Sequence, residues 1–372
     1  MPPTRSSFTG GRSTRRQFLK GSAAALTSSI LSSCGWTLAN VRTSVQTASD
    51  ILYIYTWAGY TDRELLDLFY KETKIRVVAD VFSSNEEMLA KVQAGAGGAY
   101  SVIYPSDYMV RQQIDLNMLM EIDKSRLQGL DRLFPQFQSP IYDRDNRYSI
   151  PLSWGTTGLV YNTTVLDPPP DDWDYLWANR RQLAKRMTLL NDQREVFGAA
   201  LRTLGYSYNS TDLEEIRAAY EKLLQLKPAI AAFNSDAWRS QILTGDLKIA
   251  MCYSSDANEV IQENSDLAYA LPRSGSSIWM DTLVIPRTAP NIEGAYAWLN
   301  FMLRPEIAAR TCERLSFATP NAKAFDLLPP EVQTNTSLFP PESALEKSES
   351  LEPMPPDIGE IYNRYWTKLT SG

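Results

Sequence analysis

The chain has 372 residues, is 44% hydrophobic and 22% charged, and carries a formal net charge of −6. That length suits two domains of ordinary size, and the acidic balance repels nucleic acid and attracts cations. The sequence contains no histidine, which excludes Ser-His-Asp and Cys-His catalysis, imidazole acid–base chemistry and His-based metal sites. No metal and no cofactor is expected.

The N-terminus carries an export pattern. Ser13-Thr14-Arg15-Arg16-Gln17-Phe18-Leu19-Lys20 matches the twin-arginine signature, and the apolar run from Ala23 to Leu31 is too short to span a bilayer. Leu31-Ser32-Ser33-Cys34 resembles a bacterial lipoprotein box, which would make Cys34 a lipid anchor and the mature N-terminus. The alternative is a soluble exported chain cut nearby. Residues 1–33 are thus read as a signal peptide and residues 34–50, rich in Ser and Thr, as a tether. Cys252 and Cys312, far apart in apolar settings, are expected to be buried free thiols.

The folded part opens with a strand, Ile51 to Tyr55, followed by the loop Trp57-Ala58-Gly59-Tyr60. Thr61-Asp62-Arg63-Glu64 reads as a capping box opening a helix with Leu65, Leu66 and Phe69 on its apolar side. A strand from Ile75, a helix opened at Ser84-Asn85-Glu86-Glu87 and a third strand ending at Tyr104 complete a parallel α/β pattern. In such sheets ligands sit at the loops after strand C-termini. Here those loops carry aromatics and no Gly-rich phosphate cradle. Ser149 to Val160 reads as strand-turn-strand and a crossing into a second domain. Asn191-Asp192-Gln193-Arg194-Glu195 opens a helix that Gly205 ends, and further helices are expected near 218–226, 237–244, 293–303, 305–315 and 358–369. Residues 328–358 hold seven prolines and read as an extended wrap.

Ser277-Ile278-Trp279-Met280-Asp281-Thr282-Leu283-Val284-Ile285-Pro286 reads as a strand that places Trp279 and Asp281 on one face. An indole beside a carboxylate suits an organic cation. Taken alone, the same pattern describes a buried Trp beside a surface Asp.

Several stretches together resemble the polyamine-binding proteins of bacterial ABC importers, the spermidine/putrescine branch above all. They are Leu52-Tyr53-Ile54-Tyr55-Thr56-Trp57, Tyr104-Pro105-Ser106, Asp192-Gln193-Arg194-Glu195-Val196-Phe197, Ala232-Phe233-Asn234-Ser235-Asp236 and Trp279-Met280-Asp281. The likeness runs in order from about Ile51 to the end. It implies a type II periplasmic solute-binding fold: two α/β lobes joined by hinge crossings, with a ligand cleft between them. The crossings it implies place residues 51–156 and 281–326 in lobe 1, and 157–280 and 327–372 in lobe 2. It implies a periplasmic, lipid-anchored, monomeric binding subunit that delivers spermidine, and putrescine more weakly, to a membrane permease, and no enzyme. Residues matching the family's site are Trp57, Tyr60, Tyr108, Tyr253 and Trp279 as an aromatic box, Ser106 as a polar contact, and Asp192, Glu195 and Asp281 as ammonium-binding carboxylates.

The chain also departs from that pattern. Gly59 and Ala58 stand where spermidine binders usually carry Glu and Thr. Asp256, where putrescine-type relatives have an acid, and Asp107, next to Ser106, are the two residues that could compensate; Glu352 lies loosely where relatives use a tail residue. Putrescine preference or another organic cation therefore stays open as an alternative, and so does an exported hydrolase using paired carboxylates. Asp192 and Glu195 are also spaced as a helix capping box.

Overall fold

The computed structural model describes residues 50–82 and 84–371; the signal peptide, most of the tether and Cys34 lie outside the described residues. Its strands are β1 (Ile51–Trp57), β2 (Arg76–Phe82), β3 (Val102–Ile103), β4 (Ser149–Asn162), β5 (Met187–Leu189), β6 (Ile230–Phe233), β7 (Ile249–Tyr253), β8 (Leu267–Ala270), β9 (Ser277–Val284) and β10 (Glu349–Ser350). They join in the order β2-β1-β3-β9-β4-β7-β5-β6, with β8 on β4 and β10 on β9.

The first half is built as its sequence predicts. β1 pairs in parallel with β2 and β3, and between β1 and β2 lies the helix Arg63–Thr73. Leu65 and Phe69, four residues apart, turn inward together. The helix cap is Asp62 rather than Thr61: its carboxylate accepts the Leu65 N–H at 2.7 Å, and Arg314 pairs with its other oxygen at 2.6 Å. An Asp that can serve both a helix N-terminus and an arginine displaces a neighbouring Thr from the cap.

β4 is one unbroken strand of 14 residues rather than strand-turn-strand. Its glycines mark close approach, not a turn. A Cβ on Gly155 would lie 2.2 Å from the Trp279 ring, and one on Gly158 would lie 2.6 Å from the Tyr269 ring. The first part of β4 pairs antiparallel with β9, from Ser149–Val284 to Thr156–Ile278. From Thr157 onward it pairs antiparallel with β7, and from Leu159 with β8. The strand thus changes partners between Thr156 and Thr157 and joins the two halves.

The apolar packing divides at the same place. One cluster runs from Leu52 to Trp154 and from Met280 to Ala318; a second gathers Leu159 to Met251 with Tyr362 and Leu369. Trp154, Trp173 and Trp177 are all buried, as are the free thiols Cys252 and Cys312. The proline-rich tail folds more than an extended wrap would: short helices open on proline at Pro330–Gln333 and, after Pro341, at Glu342–Leu345. Phe339 and Leu345 pack on the first cluster and Met354 on the second. Between them β10 lies parallel to the start of β9, and Arg202 pins the segment by bonding Glu349, Ser274 O and Lys347 O.

Candidate functional site

The site grows from one face of β9. Side chains alternate on a strand, so Ser277, Trp279 and Asp281 point the same way. On adjoining β4 Ser153 pairs with Asp281 and Gly155 with Trp279.

Asp281 is buried at 6% exposure. One oxygen accepts the Ser106 hydroxyl at 2.8 Å and the other accepts the Tyr60 hydroxyl. The Tyr60 oxygen also lies 3.4 Å from Ser153 Oγ. Ser106 is held in turn by Asn85, whose side-chain amide donates to its hydroxyl at 3.0 Å and accepts its N–H at 3.1 Å. Burial pushes the Asp281 carboxyl up to about 6, against the hydrogen bonds from Tyr60 and Ser106 and a smaller contribution from the Trp57 indole.

Ser277 reaches the other half. Its hydroxyl lies 2.8 Å from both oxygens of Glu195 and 2.9 Å from Thr157 Oγ1. The Tyr208 hydroxyl donates to Glu195 at 3.2 Å. Glu195 is 2% exposed, and burial, with nearby Asp192 second, pushes it up to about 8. Asp192 caps the helix Gln193–Thr203 by accepting the N–H groups of Arg194 and Glu195 at 2.9 and 3.2 Å. Its second oxygen accepts the Tyr253 hydroxyl at 3.3 Å. The capping role is therefore real, and one Asp192 oxygen points away from it toward Tyr253. Trp279, between these ends, meets Tyr253 edge to face at 6.0 Å.

The predicted residues come from strands and the segments after them on both halves: Trp57 at the end of β1 and Tyr60 beyond it, Ser106 and Tyr108 after β3, Asp192 and Glu195 after β5, Tyr253 at the end of β7 and Asp256 in the helix after it, and Trp279 and Asp281 on β9. Two of them are engaged in ways the sequence did not foretell. The Tyr108 hydroxyl donates to Glu86 at 3.0 Å. Asp256 is ion-paired with Arg239 at 2.6 Å and sits at about 6, raised by burial against the lowering effect of that arginine. Asp107 shares the inward face of its helix with Val110 and Gln113, 2% exposed, and burial raises it well above the carboxylate range. Glu352 is exposed and uses its backbone, accepting from Arg194 and donating to Asn209. Gly59 adopts φ +79 in the loop after β1, where a glutamate would be strained, and Arg314 grips its carbonyl at 3.3 Å.

None of Asp192, Glu195 and Asp281 forms an ion pair with a described residue. Among the described residues, no three His, Cys, Asp or Glu side chains form a metal-holding group. Sequence reasoning missed Asn85, Ser153, Tyr208, Ser277, Arg239 and Arg314. Only Ser277 carried a signal, its even spacing from Trp279 and Asp281; the rest arrive from distant segments.

Two lobes of α/β structure around a shared β4–β9 pair define a type II solute-binding protein. The chain belongs to the bacterial extracellular solute-binding proteins, whose family model matches residues 64–340. It is similar to the spermidine/putrescine-binding periplasmic protein of Salmonella typhimurium, 39% identical over 87% of this chain and 92% of that one. Among solved structures it resembles the spermidine/putrescine substrate-binding protein PotD of Streptococcus pneumoniae (TM-score 0.77, 35% identity, 86% and 98% of the two chains). It also resembles the PotD lipoprotein of Treponema pallidum (TM-score 0.76, 27% identity, 86% and 99%).

Proposed function

We infer that this chain is the extracytoplasmic polyamine-binding subunit of an ABC importer, taking spermidine, and putrescine more weakly, for delivery to a membrane permease. The observation that carries the reading is the set of Asp192, Glu195 and Asp281, carboxylates without a protein cation, beside Trp57, Tyr60, Tyr253 and Trp279. Buried carboxylates are costly without a partner. A polyamine supplies ammonium groups for them and methylene linkers for the aromatic faces. Asp281, Ser106, Tyr60 and Trp57 take one end; Asp192, Glu195 and Tyr253 take the other; Trp279 and Tyr108 cover the chain between. The named relatives support the ligand class.

The resemblance puts lobe 1 at 51–156 and 281–326 and lobe 2 at 157–280 and 327–372. The packing of Phe339 and Leu345 favours moving the third crossing from residue 326 to between Leu345 and Met354. The lipoprotein box, and a relative described as a lipoprotein, support anchoring through Cys34 of a periplasmic monomer. The named relatives are binding proteins, which supports binding rather than turnover. A thermal-shift panel of spermidine, putrescine, lysine, choline, calcium and a generic glycoside tests the ligand class. Stabilisation by spermidine and putrescine alone is expected; stabilisation by another cation and not by polyamines would overturn it.

A further inference from the structure

Asp256 is the one acid of the site whose charge is already answered. It lies in the first turn of the helix Ser254–Glu263, directly after Tyr253 at the end of β7. The start of this helix sits against the site: Tyr253 at its cap donates to Asp192, and Ser254 accepts the Thr156 N–H at 3.2 Å, next to the Gly155 backbone on which Trp279 packs. One oxygen binds Arg239 Nη2 at 2.6 Å; the other accepts no hydrogen bond from a described residue.

Arg239 is placed firmly. It extends from the helix Trp238–Leu243, and its Nη1 binds Asp236 at 2.6 Å while Glu259 lies 3.5 Å from its Nε. The loop that supplies Asp236 is tied to the loop that carries Asp192, since Ser235 Oγ accepts the Asn191 N–H at 3.0 Å. Asp236 and Glu259 are mostly exposed and water screens them; Asp256 is 17% exposed and Arg239 is 25% exposed. The buried part of this cluster is therefore the single pair Arg239–Asp256.

Building on the polyamine reading, we propose that Arg239 is a specificity-determining residue: by holding Asp256 in an ion pair it leaves the site with carboxylates for three ammonium groups and not four. Asp192, Glu195 and Asp281 match a triamine. Without Arg239, Asp256 becomes a fourth acid within the same pocket, and only a tetraamine can use all four. Arg239 acts through Asp256 and does not itself touch ligand.

The test is calorimetric titration of the full chain, wild type and variants, with putrescine, spermidine and spermine. Arg239→Gln is expected to tighten spermine about fivefold, spermidine less and putrescine least, as one more screened charge pair would. Arg239→Lys, which keeps the charge, should retain the wild-type order. Arg239→Gln with Asp256→Asn, which leaves no unpaired buried charge and so guards against misfolding, should lose the spermine gain of Arg239→Gln. An unchanged ligand order in Arg239→Gln, or a spermine gain that persists in the double variant, would overturn the proposal, the latter because the gain would then not come from Asp256. A wild type that binds none of the three would overturn the polyamine reading itself, and this inference with it.

Discussion

Asp281 and Glu195 are set up differently, and each makes its own prediction. Asp281 is gripped by Tyr60 and Ser106, so its position is fixed before ligand arrives. Replacing either acid with its amide keeps shape and removes the charge that an ammonium needs. Asp281→Asn and Glu195→Gln should each weaken spermidine binding at least about tenfold, a loss of about 1.4 kcal/mol or more, while the far-UV circular dichroism stays unchanged. Unchanged affinity in both variants would contradict the assignment.

Glu195 also links the site to pH. Its folded value of about 8 lies above the ordinary 4.5 because burial disfavours its charge, so the ligand-free protein holds a proton there that the unfolded chain releases. Between pH about 4.5 and 8 the native state therefore binds more protons than the unfolded state, and stability falls as pH rises through that window. Asp281, up to about 6, adds the same sign over the lower part of it. A bound ammonium favours the ionised forms. The melting temperature of the free protein should thus decline from pH 5 to 8 while the increment given by spermidine grows, and Glu195→Gln should flatten the upper part of the decline. Melting curves across pH with and without spermidine read both effects.

At the scale of elements, β9 and β4 carry the site, and Gly155 is what lets them. Trp279 lies against its backbone, and a Cβ there would also stand 2.6 Å from Ser254 Oγ. Gly155→Ala should cost about 1–3 kcal/mol of stability by overpacking and push Trp279 out of line with Tyr253. Denaturant unfolding measures the first effect, and the spermidine titration, weaker than wild type, measures the second. A variant as stable as wild type would mean that Trp279 has room to move.

The same elements show what the sequence could and could not say. Hydrophobic period and caps located β1, β9 and the helices Gln193–Thr203 and Pro305–Leu315 almost to the residue. β5, β6 and β8, three or four residues each, are too short for a period to register. Gly155 and Gly158 looked like a turn because close approach by an aromatic from another strand leaves no mark in the local sequence. The candidate site residues were named through a family resemblance and through the Trp279–Asp281 pairing. Their partners were not, because Asn85, Tyr208 and Arg239 act only once distant segments meet. The most consequential of these is Arg239, which changes what Asp256 can do.

At the scale of the whole molecule, the site draws on both halves, and β4, β9 and the tail run between them. Ligand held by Asp281 on one side and by Asp192 and Glu195 on the other would tie the halves together, which is hinge closure. Small-angle scattering should show a smaller radius of gyration with spermidine than without it, and Asp281→Asn should lose that change.

The central claim is that this chain binds a polyamine through these acids. Calorimetric titration of the chain with Cys34→Ser, against spermidine and then putrescine, tests it most directly. One site per chain is predicted, with spermidine tighter than putrescine; no heat with either amine at neutral pH would contradict the account.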